Sequence, residues 1–166
     1  RYLAGDDEVK ISELEHFFAD PEIDIIINAR GGYGSIRLIN RIDYEIIKNN
    51  PKPFIGFSDI TALLLMIYKR TGIVTYHGPM VISDFADIAP FTEEFFNKAI
   101  NNEKLEFAGT TIYQRGRAEG IIWGGNLATV VSLCGQDFLP NEDFIFFTED
   151  LNEPVYKIDR MFQQLI

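Results

Sequence analysis

Cysteine is nearly absent from this chain. Cys134 is the single one among 166 residues, which excludes an internal disulfide and any cysteine-rich metal site. It lies in the apolar stretch ATVVSLCG and reads as a small buried hydrophobe. Histidine is almost as scarce: only His16 and His77 occur, without metal-ligand spacing, so no metal is expected. Basic charge is short as well. Fifteen Lys and Arg against 25 Asp and Glu leave a net charge of −10. Such a surface repels phosphate backbones, so neither nucleic acid nor an anionic membrane surface is expected as a partner. No run of about 18 uncharged apolar residues exists to span a bilayer. The opening residues, RYLAGDDEVK, lack the apolar stretch of a secretory leader. A reducing, cytoplasmic setting agrees with these scarcities.

What is present is globular: 46% hydrophobic and 24% charged residues with no low-complexity tract. The length suits one domain or two small ones and can bury a real core. Leu14, Phe17 and Phe18 recur at helical spacing between Ser12, a candidate N-cap, and the breaker Asp20-Pro21. IDIIIN (23–28) reads as a buried strand and runs straight into RGGYGS (30–35). A short helix near 44–48 is followed by Asn50, Pro51 and Pro53, then by a second buried strand, FIGF. That strand leads into Ser58-Asp59 and the helical segment ITALLLMIYKRTG, with Gly72 at its C-cap. A third strand over 73–76 ends in His77-Gly78-Pro79.

Strands alternating with helices predict an α/β fold, a parallel sheet with crossover helices. Ligands in such sheets bind at the carboxyl ends of the strands, where both RGGYGS and FSD fall. The rhythm changes near residue 88. A helix is expected over 90–101, then short strands at 105–107 and 120–123. The turn Gly124-Gly125-Asn126, a helix, the apolar strand IFFTED and a terminal helix complete the chain. This predicts an N-terminal domain over 1–103 and a smaller, partial mixed α/β domain over 104–166. The chain opens on Arg1-Tyr2-Leu3 as if inside a connection and stops on Leu165-Ile166 without a cap, so a segment of a longer protein is expected.

Four constellations could carry chemistry. Ser58 sits where a buried strand turns into a helix, the logic of a nucleophile elbow. Gly56 supplies the small residue before it, although Ile60 stands where a second glycine is usual. The alternative makes Ser58 or Asp59 an ordinary helix N-cap. In RGGYGS, the amides near Gly31 and Gly32 could cradle an anion and Arg30 could meet a carboxylate; a tight turn needing positive φ explains the glycines equally well. The spacing matches neither a nucleotide phosphate loop nor a dinucleotide fingerprint, so no cofactor is expected. Glu149 and Asp150 end a buried strand and could orient an imidazole, or merely face solvent. Asn126 could cap a helix or offer its amide to a substrate. His77 reads as a loop anchor, and His16 as a structural residue of an acidic amphipathic helix.

Together, YLAGDDE (2–8), ARGGYGSIRLI (29–39), IGFSDITALL (55–64), HGP (77–79), GGNL (124–127) and TEDLNEPVYKIDRMFQQL (148–165) resemble the LD-carboxypeptidases, a serine-peptidase family that also holds the microcin C self-immunity peptidases. The resemblance implies a flavodoxin-like N-terminal region and a Ser-Glu-His triad acting at the C-terminal end of a peptide. Ser58 matches the family serine and Glu149 the glutamate; the oxyanion donors correspond to the Gly31 and Gly32 turn and the N–H of Asp59. Asn126 matches a substrate-contacting asparagine. The immunity branch carries lysine where this chain has Glu153. An acidic group there suits a free amino group such as that of diaminopimelate, favouring a murein tetrapeptide losing its terminal D-alanine. The family's histidine would lie beyond Ile166, and His77 belongs to a different motif. The segment alone is therefore expected to be inactive, and a non-catalytic peptide-binding module is the alternative from another class. A microcin-type immunity peptidase is the alternative within the family. A homodimer is expected from the family's habit.

Overall fold

In the computed structural model, residues 5–109 and 111–166 are described; Arg1-Tyr2-Leu3 and the start of the YLAGDDE motif lie outside them. Helix α1 (Asp7–Ala19) leads to strand β1 (Ile26–Ile27), and helix α2 (Tyr44–Asn49) to strand β2 (Phe54–Gly56). Helix α3 (Thr61–Thr71) precedes strand β3 (Tyr76–His77), and helix α4 (Pro90–Ile100) follows it. Strand β4 (Ile121–Asn126), helix α5 (Leu127–Ser132), strand β5 (Phe144–Glu149) and helix α6 (Val155–Leu165) complete the order. The sheets are parallel, as the sequence rhythm predicts: β1-β2-β3 in one, β4-β5 in the other.

Helix α3 is the centre of the molecule. Its first seven residues, Thr61 to Ile67, are all buried. A helix that is apolar all round has no solvent side to offer. Its neighbours are β2 and β3 on the one hand, β4 and α5 on the other. One core results, joining Phe18, Ile47, Phe54, Leu64 and Ile67 to Trp123, Val130 and Leu133. Each large apolar side chain so enclosed contributes about 1.5–3 kcal/mol. Gly72 closes α3 in the left-handed conformation, with its N–H donating to the Tyr68 carbonyl.

Several local expectations are corrected. Helix α1 starts at Asp7 rather than after Ser12, because Asp7 and Glu8 place negative charge in its first turn. The Asp7 carboxylate also receives a two-pronged ion pair from Arg37 (2.7 Å at the shorter contact). That pairing, through the guanidinium's hydrogen bonds, holds the Asp7 carboxyl below its ordinary range. Strand β3 begins later than 73 because the Ile73 N–H is taken by Thr71 Oγ1 at the end of α3. Residues 105–107 form no strand: they are exposed and have no partner strand among the described residues. The turn expected at Gly124-Gly125-Asn126 is the last half of β4 itself, paired with Phe147, Thr148 and Glu149. Cys134 is half-buried rather than enclosed.

Candidate active site

Strand β2 is buried throughout and delivers the chain to Ser58 at the carboxyl edge of the first sheet. Ser58 has φ 59°, the left-handed region. For a residue with a Cβ this costs roughly 1–2 kcal/mol. The other described non-glycine residues with positive φ are Asn102 and Asn152, a residue type that tolerates it. Strain at a serine between strand and helix is the geometry of a nucleophile elbow. The capping alternative fails. Ser58 makes no side-chain cap, and the Asp59 carboxylate is engaged elsewhere, accepting from the Ser35 N–H at 2.9 Å.

The glycine turn closes on this serine. A Cβ on Gly31 would lie 3.0 Å from Ser58 Cβ and 3.1 Å from its Oγ, so only glycine lets the two backbones approach this closely. The near end of the turn is held where Val81 and Ile82 N–H donate to the Asn28 and Ala29 carbonyls (3.1 and 2.9 Å). Arg30 is exposed, its guanidinium folded back toward Gly31 and Gly32.

Glu149 reaches the same end of the molecule through α3. Thr61, three residues after Ser58, accepts from the Asn126 N–H at 3.2 Å, and Asn126 is the register partner of Glu149. Asn126 caps α5: its Oδ1 accepts from the Thr129 N–H and hydroxyl (3.0 and 2.9 Å). Asp150 satisfies a second amide of the α5 start, from Ala128, at 3.0 Å. Burial raises the Glu149 carboxyl above its ordinary value, the neighbouring Asp150 charge adds to that, and Asn126 opposes it. Glu149 Oε1 is buried with no hydrogen-bond partner among the described residues. Glu153 is half-buried and pairs with Lys157 of α6 at 3.2 Å, so its charge is already partly met from the helix that follows it.

His77 stands at the end of β3, edge-on to the Phe147 ring (5.2 Å between centroids) and tilted against Phe57 (6.0 Å). Desolvation lowers its pKa, favouring neutral imidazole. Its place between β2 and β5 agrees with an anchoring role. Sequence reasoning missed two groups that assemble the site. Thr61 hides in an apolar helix start, and the Asp59 carboxylate reads locally as a cap. Only tertiary contact reveals either.

The first sheet presents a strained hydroxyl with a turn of small residues against it, and Thr61 links the start of α3 to the strand pair that ends in the partly desolvated Glu149 carboxylate. Among the described residues no three His, Cys, Asp or Glu side chains come together to hold a metal. No described helix is long and apolar enough to cross a membrane.

Comparison with known proteins identifies the family and the shared fold. Residues 1–78 match the LD-carboxypeptidase N-terminal domain, and residues 119–166 the LD-carboxypeptidase C-terminal domain. The chain is 37% identical to a probable murein peptide carboxypeptidase of Bacillus subtilis, over 99% of this chain and 54% of the relative. Among solved structures, a MccF-like protein from Bacillus anthracis superposes with TM-score 0.89 at 30% identity, covering 99% of this chain and 59% of that one. A muramoyltetrapeptide carboxypeptidase from Oxalobacter formigenes gives TM-score 0.85 at 30% identity, with 99% and 58% covered. The chain thus spans little more than half the length of these relatives. With both domain signatures in order and the fold shared, the chain belongs to the LD-carboxypeptidase family.

Proposed function

We propose that the full-length protein carrying this chain is a serine-type LD-carboxypeptidase that releases the terminal D-alanine of murein tetrapeptides. On this reading it works in the cytoplasm, as a homodimer, in peptidoglycan recycling. The observation that carries the proposal is Ser58 held at φ 59° with Gly31 packed against its hydroxyl. Strained backbone of this kind persists where the surrounding structure enforces it, and it concentrates at reactive groups. The relatives named as murein peptide and muramoyltetrapeptide carboxypeptidases support the substrate class.

In the proposed reaction an imidazole from outside residues 1–166 takes the Ser58 proton. The buried, unpartnered Glu149 Oε1 accepts from that ring and holds its tautomer. Ser58 Oγ attacks the amide carbonyl preceding the terminal residue. The N–H groups of Gly31, Gly32 and Asp59 donate to the oxyanion as charge builds. The imidazolium returns the proton to the leaving amine, and water then hydrolyses the acyl-enzyme by the same route. Arg30 meets the terminal carboxylate, and Glu153 with Asn126 faces the substrate's amino-bearing residue. In its protonated form Glu149 would be a poorer partner for the ring, so turnover should fall as pH drops through its raised titration.

The test is release of D-alanine from a tetrapeptide by the full-length protein, with fluorophosphonate labelling alongside. Ser58→Ala should abolish labelling and lower turnover by about 10³-fold or more. Undiminished turnover in that variant overturns the proposal. Arg30→Ala should lose activity on carboxylate-ended peptides while sparing amidated ones, and equal loss on both removes Arg30 from this role. Preference for an aminoacyl-nucleotide conjugate over the tetrapeptide would move the protein to the immunity branch.

A further inference from the structure

We infer that the Asp59 carboxylate is a positioning residue that locks the glycine turn onto the nucleophile turn, an inference that rests on Ser58 being the nucleophile. The turn from Gly31 to Gly34 contains three glycines, two of them with φ above 120°, and so has little conformational rigidity of its own. Its near end is tied to the segment after β3 through the Asn28 and Ala29 carbonyls. Its far end is tied to the nucleophile turn through the Asp59 side chain, whose Oδ2 accepts from the Ser35 N–H at 2.9 Å across 24 residues of sequence. Ser35 is buried, and the short turn it opens is fastened further out by Arg37 to Asp7.

The consequence is geometric. Asp59 follows Ser58 directly, so its backbone moves with the serine, while its side chain holds the loop that packs against the serine hydroxyl. Nucleophile and loop amides thereby share one rigid frame. Oxyanion stabilisation requires donors placed within a few tenths of an ångström of the developing charge, and a misplacement of about 1 Å costs about 100-fold in rate. The carboxylate acts through hydrogen-bond geometry rather than charge, because its acceptor oxygen faces a backbone amide.

The experiment compares Asp59→Ala, Asp59→Asn and Asp59→Glu in the full-length protein, with Ser58→Ala as a separate control for the nucleophile. Asp59→Ala should lower kcat about 10- to 100-fold with KM within about threefold, and slow fluorophosphonate labelling in parallel. Asp59→Asn keeps an acceptor oxygen and should restore most of kcat. Asp59→Glu keeps the charge and the helical first turn but displaces the acceptor, and should lose most of it; this variant decides the matter should alanine prevent folding. Equal loss in the Asn and Ala variants would assign the effect to charge and overturn the inference. A lowered melting temperature with unchanged kcat in Asp59→Ala would overturn it too, leaving a merely structural contact. If Ser58→Ala remains active, the underlying nucleophile reading has failed instead, and the two failures are told apart.

Discussion

The two sheets of this molecule are built to different degrees of closure. Around β2 everything is enclosed: Phe54 and Ile55 have no exposed surface, and α3 covers them. Around β5 much is open. Phe144 and Phe146 are exposed, α6 buries none of its residues, and Glu149 holds an oxygen out of water without a partner. The first sheet therefore has packing to spare against a strained serine, whereas the second holds its carboxylate partly desolvated and partly unsatisfied. On the proposed reading, strain and unmet hydrogen-bonding capacity are two ways of keeping a group reactive, and the regions divide them.

The joint between the regions is where the contrast can be broken most severely. A Cβ at Gly125 would lie 2.6 Å from Thr61 Cγ2, on backbone with φ 141°. Gly125→Ala should therefore cost roughly 1–3 kcal/mol of stability, read as a lower urea midpoint. No loss would mean that β4 and α3 are not pressed together as described. On the enclosed side, Ser58→Gly should relieve the left-handed strain and raise stability by about 1 kcal/mol, measured by thermal denaturation, and on the proposed reading it should end turnover by the full-length protein. A less stable glycine variant would show that Ser58 carries no strain.

The smallest effect sharpens the open side. The Glu149 carboxyl titrates above its ordinary value in the folded protein, so the folded state holds its proton more tightly than the unfolded one. Stability then falls as pH rises through the window between those two values, and the ionised form carries the penalty at neutral pH. Glu149→Gln removes that titration. It should be slightly more stable than the parent at neutral pH, with the gap closing at pH below the ordinary carboxylate range. A gap independent of pH would mean that desolvation of the charge is not the cause.

Much of this was legible beforehand. The parallel rhythm and the strand-to-Ser58 turn follow from short apolar runs flanked by breakers, and α3 announces its burial through LLLMI. Other parts were hidden for physical reasons. A Thr at the start of a helix does not reveal that its hydroxyl will receive an amide 65 residues away. The stretch at 105–107 has strand-like residues but no neighbour, and a strand exists only as a pair. The start of α1 lies at Asp7 and Glu8 rather than at the local Ser12 signal, and the pairing of Asp7 with Arg37, 30 residues away, was not legible locally. Ser58 and Asp59 look like ordinary caps until the carboxylate is seen bonding to another loop.

Asn126 ends one strand, opens one helix and stands beside Glu149 in the ladder. A position with three simultaneous duties has little freedom to drift. On the proposed reading, changes in substrate preference would then accumulate at positions with a single task, such as the exposed Arg30, while this asparagine stays put as a hinge-pin of the architecture.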